Sequence, residues 1–181
     1  MSRPLIIEHN HQPIYRVVRR GAGPLETAGR RQRVLDHPFS HPEDPTLYCC
    51  CSEWVARAVT LERFRVAGLD VSDLQPGARP QLVELSWSGQ VVDLASEDGV
   101  AAAGFPPDFP EGVRPEQTRR AAGEWRSAGA AGVVYRSGAL RKRGFKSWEG
   151  SHKRWSELAV FLDRCGEPPK LLRLREDQDW L

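Results

Sequence analysis

No stretch of the chain approaches the roughly 18 consecutive apolar residues that a membrane-crossing helix needs. The opening Met-Ser-Arg-Pro-Leu-Ile-Ile-Glu-His meets a charge before the core of a signal peptide can form, so the expectation is a cytoplasmic protein. Cysteine is scarce: there are 4, three of them adjacent at Cys49, Cys50 and Cys51. Neighbouring cysteines rarely pair with each other, so a disulfide scaffold is excluded and the three read as reduced thiols in a buried strand. Their side chains point alternately to opposite strand faces, which argues against a shared metal. His9 and His11 alternate near the N-terminal end, and His37 and His41 sit in a Pro-rich stretch. No second ligand set has metal spacing, so no metal is expected. The sequence also lacks a Gly-x-Ser-x-Gly elbow, a Walker loop and a Gly-x-Gly-x-x-Gly turn. It lacks a dominant charge as well: 26 Lys and Arg against 24 Asp and Glu give +2, too little to announce a nucleic-acid binder.

What is present fits a single globular domain. The 181 residues are 40% hydrophobic and 28% charged, and 16 Gly with 14 Pro make the chain loop-rich. Charge is unevenly placed. Residues 1–35 carry +5 and residues 136–154 carry +6, leaving −9 for the remainder. Two basic segments brought together would cradle a phosphate or pyrophosphate; the competing reading is a pair of solvated loops.

Short strand-like runs fall at 13–18, 46–51, 81–87, 91–94, 132–136, 158–162 and 170–174. One helix is expected over 53–66, with Ser52 as N-cap and Glu53 in its first turn. Another is expected over 116–128, opened by Pro115 and closed by Gly129. Loops fill 21–45, 95–113 and 138–154. The sum is an α+β domain: a short-stranded mixed sheet system with flanking helices.

Three residues stand out. On the 53–66 helix, Glu62 falls among Val55, Ala58, Val59 and Val66, not with the polar Arg57, Thr60 and Arg63. A carboxylate on that face costs several kcal/mol unless paired, so either the helix opens onto a cleft there or a partner waits. Arg16 lies inside a strongly β-forming segment, facing solvent or reaching into a site. Ser137 ends an apolar strand at a Ser-Gly turn, where binding residues are commonly displayed.

The ordered motifs resemble those of the RES-domain family, named for its Arg, Glu and Ser. Ile14-Tyr15-Arg16-Val17-Val18 is similar to the strand bearing the family Arg. Thr46-Leu47-Tyr48-Cys49-Cys50-Cys51-Ser52-Glu53 resembles its Ala-Leu-Tyr strand and turn, and the following helix carries Glu62 as the family Glu. Val91-Val92-Asp93-Leu94 resembles a Val-Leu-Asp-Leu strand. Val133-Val134-Tyr135-Arg136-Ser137 is similar to a Tyr-Pro-Ser strand end, with Arg136 in place of Pro, and Glu157-Leu158-Ala159-Val160-Phe161 resembles the closing strand. The resemblance spans residues 13–163, with a basic insertion at 140–156, a preceding segment 1–12 and a C-terminal strand and tail at 164–181. The family's Gly-Gly-Arg-aromatic-Asn stretch is replaced here by residues 36–42, with Arg33, His37 or Ser40 as stand-ins.

The resemblance implies a compact ADP-ribosyltransferase-like fold. It implies cleavage of the nicotinamide–ribose bond of NAD+ by water or inorganic phosphate, depleting the cell's NAD. NAD+ is then a substrate and no cofactor is needed. Arg16 would grip the pyrophosphate, Glu62 would stabilise the oxocarbenium-like centre or activate the acceptor, Ser137 would hydrogen-bond the nicotinamide end, and Tyr48 would stack or bond beside it. The expected partner is a helix-turn-helix antitoxin covering the site, with no membrane contact and no direct nucleic-acid binding without that antitoxin. Two other readings remain open: protein ADP-ribosylation at the same site, and a non-catalytic basic module in which residues 136–154 grip nucleic acid or an acidic partner.

Overall fold

The computed structural model describes residues 3–10, 13–27, 38–40, 44–142 and 152–175. Eight strands form one mixed sheet: β1 (Ile6–His9), β2 (Pro13–Val18), β3 (Thr46–Cys50), β4 (Gln81–Ser86), β5 (Gly89–Leu94), β6 (Gly132–Arg136), β7 (Ser156–Phe161) and β8 (Lys170–Arg175). Their order across the sheet is β1-β5-β6-β7-β3-β2-β4-β8. Among the described residues, four α-helices accompany them: α1 (Glu53–Val66), α2 (Glu97–Ala102), α3 (Pro115–Ser127) and α4 (Gly138–Lys142). The α+β class expected from the sequence is the one observed. No helix among the described residues is long and apolar enough to cross a membrane.

Local chemistry explains the elements. α1 begins where the Ser52 hydroxyl accepts from the Val55 amide and donates to the Arg154 carbonyl, so one side chain caps the helix and ties it to the segment before β7. α3 opens on Pro115 and stops at Gly129, whose φ of +93° a side chain would resist. α2 packs close onto β5: a Cβ at Gly99 would lie 2.2 Å from the Asp93 carbonyl oxygen. Asp93 in turn accepts from the amides of Ala95 and Ser96, fixing the exit from β5.

Most neighbouring strands are antiparallel. β5 and β6 are the parallel pair, and the long crossover through α2 and α3 is what such a pair requires. The sheet separates two apolar layers, one built on Ile14, Leu47, Val83, Val91 and Leu158, the other on Leu94, Trp125, Val133, Tyr135 and Phe161. Arg126 locks α3 to the sheet: its guanidinium donates to Thr46 Oγ1 and Asp163 and lies 4.1 Å over the Phe161 ring.

The segments outside residues 13–163 are integral to the sheet, since β1 and β8 form its two edges. Residues 95–113 and 138–154, expected as loops, contain α2 and α4. Both helices are too short to show a hydrophobic period in sequence. Residues 143–151, which include Trp148 and the middle of the basic insertion, lie outside the described residues.

The sparsest pairing in the sheet is the one between β2 and β3. β2 and β3 meet at one register position, Tyr15 opposite Cys50, whereas β2 and β4 pair along six residues. Beyond that bridge β2 and β3 run apart. α1 packs on both of them and so roofs the gap.

Candidate functional site

The gap between the diverging strands is a cavity of about 540 Å³, within the size range of small-molecule sites. β2 lines it with Tyr15, Arg16, Val17, Val18 and Arg19, and β3 with Thr46, Tyr48, Cys49 and Cys50. α1 contributes Ala56, Val59, Thr60 and Arg63, spaced as one helical face. The turn after β2 adds Ala22, Gly23, Glu26 and Thr27, and β7 adds Glu157.

Arg16 projects into this space. Its Nη1 donates to the Pro24 carbonyl at 2.7 Å and its Nη2 to the Glu26 carbonyl, so the guanidinium holds the 22–27 turn as a cavity wall. A guanidinium has five N–H donors, and three of Arg16's remain for a ligand. Burial pushes the Arg16 pKa below its ordinary value, with nearby Arg63 adding to the effect. Arg19 and Arg63 are exposed. The cavity therefore has three arginines, two of them at its solvent side.

Tyr48 lines the cavity, and its hydroxyl is anchored. It accepts from the Phe39 amide at 3.1 Å and shares a 2.9 Å hydrogen bond with Ser40. Burial pushes its pKa up, so it stays a neutral phenol. Ser40, one of the proposed stand-ins in the altered 36–42 stretch, is thus the residue that orients Tyr48. Arg33 and His37 lie outside the described residues.

Ser137 follows β6 and is completely buried. Its hydroxyl makes no hydrogen bond of ordinary geometry but lies close enough to Glu157 to favour that carboxylate's charged form. It sits behind the cavity lining, reaching it through Glu157.

Glu62 is placed differently. Of the two alternatives left by its helical position, a partner rather than a cleft is what it meets. Arg65 Nε and Nη2 each donate to its carboxylate at 2.8 Å, and Lys142 Nζ on α4 lies at 3.3 Å. The Arg65 hydrogen bonds, with help from Lys142, hold its pKa down to about 2. The cavity-facing residues of α1 lie roughly a third of a turn around the helix from Glu62 at 100° per residue. The sequence reading correctly found a buried acid, and the structure does not bring it together with Arg16 and Tyr48 in the cavity.

The acid that does line the cavity is Glu157, which the sequence reading placed at the head of the closing strand without giving it a role. In register it lies between Tyr135 of β6 and Cys50 of β3. The Tyr135 hydroxyl donates to its Oε2 at 3.1 Å. Among the described residues no cation forms an ion pair with it. Burial raises its pKa, opposed by Ser137, Tyr135 and the more distant Arg63. One signal was available: a glutamate heading the apolar run Leu158-Ala159-Val160-Phe161. The strand-like run at 158–162 begins one residue after it, while the family resemblance takes it in as the first residue of the closing strand.

Among the described residues the two basic segments supply the cavity unequally. Arg16 and Arg19 of the first reach the cavity. In the second, Arg136 is buried and donates to the Ala95 and Pro107 carbonyls, Arg141 bridges Asp108 and Glu111, and Lys142 meets Glu62. Arg63 of α1 supplies the third cation of the cavity instead. The cysteines there are inert: burial pushes the Cys49 thiol up to about 12 and Cys50 well above its ordinary value.

Comparison with known proteins gives a family and a fold. The model of the family described as RES domain matches residues 13–145. Among solved structures, the chain is similar to one from the crystal structure of the M. tuberculosis MbcT-MbcA toxin-antitoxin complex, with a TM-score of 0.70 at 17% sequence identity over 93% of this chain and 85% of that one. No curated protein sequence matches.

Proposed function

The chain belongs to the RES-domain family, and from that premise we propose that it is the toxin of a toxin–antitoxin pair and that it cleaves the nicotinamide–ribose bond of NAD+. The observation that carries the reading is the charge layout of the cavity. NAD+ is anionic at its pyrophosphate and cationic at its nicotinamide ring. The cavity has arginines toward solvent and one half-buried carboxylate inside, which complements both charges.

In this reading Arg19 and Arg63, with the free N–H donors of Arg16, hold the pyrophosphate. Arg16 also fixes the wall against which the dinucleotide lies. Tyr48, a neutral phenol anchored by Ser40, presents its ring to the nicotinamide end. The Ser137 hydroxyl supports the polar floor there. In the reaction the C1′–N bond breaks and its electron pair leaves on neutral nicotinamide. An oxygen of water or inorganic phosphate bonds to C1′, giving ADP-ribose or its 1″-phosphate; the proton of an attacking water passes to a base or to solvent. A helix-turn-helix antitoxin covering the cavity completes the proposal. The solved neighbour, itself part of a toxin–antitoxin complex, supports a partner of that class.

The test is incubation of the purified chain with NAD+, with and without phosphate, following free nicotinamide by chromatography. Nicotinamide release is expected, and phosphate dependence identifies the acceptor. Arg16→Ala should lower the rate by about 100-fold or more, and Ser137→Ala should lower it too. Absence of release under both conditions, together with unchanged cellular NAD on expression, would overturn the reading. Radiolabel from NAD+ accumulating on a protein band would replace it with protein modification.

A further inference from the structure

The cavity contains two carboxylates, and they are unlike each other. Glu26 is exposed on the turn after β2, and its backbone carbonyl is engaged by Arg16. Glu157 points in from β7, flanked by Tyr135 and Cys50 on the neighbouring strands and opposite α1. α1 brings no acid of its own to the cavity: Ala56, Val59 and Thr60 are uncharged there and Arg63 is cationic. Glu62, the acid that helix does carry, is engaged by Arg65 and Lys142.

We propose that Glu157 is the acidic group of the reaction site, facing the nicotinamide ribose and stabilising the positive charge that develops at C1′. The proposal rests on the NAD+ reading above and assigns the acid of that same site. Its support is geometric. A carboxylate half-buried between apolar strands is costly unless compensated, and Glu157 receives one phenol hydroxyl and a nearby serine rather than a salt bridge. A charge left so weakly neutralised by the protein is available to a cationic ligand. The low polarity of the surroundings strengthens the attraction. Glu62 lacks that availability, because its two oxygens already face two cations.

The groups facing Glu157 bear on its pH behaviour. They are Tyr135 from β6, Ser137 beyond it, Cys50 from β3 and Arg63 from α1, with Arg16 and Tyr48 elsewhere in the lining. Burial pushes both tyrosines and Cys50 to higher pH. None of those three titrates in the acid range. Activity should therefore rise with pH along an ionisation above the ordinary glutamate range, as Glu157 loses its proton.

The experiment compares wild type, Glu157→Gln and Glu62→Gln, each first checked for cooperative melting. Glu157→Gln should lower kcat by about 100- to 1000-fold with KM for NAD+ within a few-fold, and it should erase the acid limb of the pH–rate profile. Glu62→Gln should lose less activity and keep that limb. NAD+ and NADH binding are measured in parallel, because NADH lacks the ring charge. The wild type should prefer NAD+, and Glu157→Gln should lose the preference. A folded Glu157→Gln with near-wild-type turnover and an unchanged pH profile overturns the assignment while leaving the NAD+ reading intact. If the wild type binds NAD+ without cleaving it, the cleavage proposal fails, and the NAD+/NADH preference still decides whether Glu157 faces the ring. If the wild type binds neither nucleotide, both proposals fall.

Discussion

Two glutamates separated by 95 positions illustrate how environment sets the behaviour of one side-chain type. Glu62 is held ionised by Arg65 and Lys142, and its folded-state pKa lies below the unfolded value. It contributes stability above the ordinary glutamate range, and that contribution is lost as pH falls toward about 2. Glu157 has the opposite sign. Its raised pKa means the folded chain binds the proton more tightly than the unfolded one. Stability therefore declines as pH rises from the unfolded value through the folded value, and the loss persists at neutrality. Glu62→Gln should accordingly lower the melting temperature at pH 7. Glu157→Gln should raise it at pH 7 but not at pH 4. Differential scanning calorimetry at the two pH values checks both, and a fall at pH 7 for Glu157→Gln would contradict the electrostatics described here. Sequence alone exposed half of this contrast. The helical period marked Glu62 as buried, but of its two partners only Arg65 lies on the same helix; Lys142 comes from α4, in a segment with no readable period. Glu157 was legible as the head of a strand but not as a site residue, because nothing in a strand sequence says which neighbour opens into a cavity.

At the level of elements, local signals were legible and pairing was not. Ser52, Pro115 and Gly129 bound α1 and α3 within a residue of expectation, because capping and backbone constraints act over one turn. Alternation and β-branching marked β2 through β8, whereas β1 was missed: Ile6–His9 is a four-residue edge strand with little burial pattern to read. The Ser52 cap joins local and distant structure, so Ser52→Ala should cost about 1–2 kcal/mol in urea unfolding. The loss reflects both the helix amide and the Arg154 carbonyl that the hydroxyl serves. Ser52→Thr should recover most of it. α1 roofs the cavity, so on the proposed function the alanine variant should also weaken NAD+ binding, measurable by calorimetric titration.

Over the whole molecule, strand order depends on pairings between residues far apart in sequence, and no single segment announces them. The mixed character of the sheet was foreseeable; the order β1-β5-β6-β7-β3-β2-β4-β8 was not. Nor could charge counts show that Arg136 and Lys142 would be spent on internal contacts while Arg63 turned toward the ligand space. The lone bridge between Tyr15 and Cys50 has a mechanical result. Five strands stand on one side of that bridge and three on the other, and beyond it side chains join them: α1 rests on both β2 and β3, and Ile14 and Val18 share one apolar cluster with Leu47 and Cys49. The width of the cavity is thus set by packing rather than by a hydrogen-bond ladder.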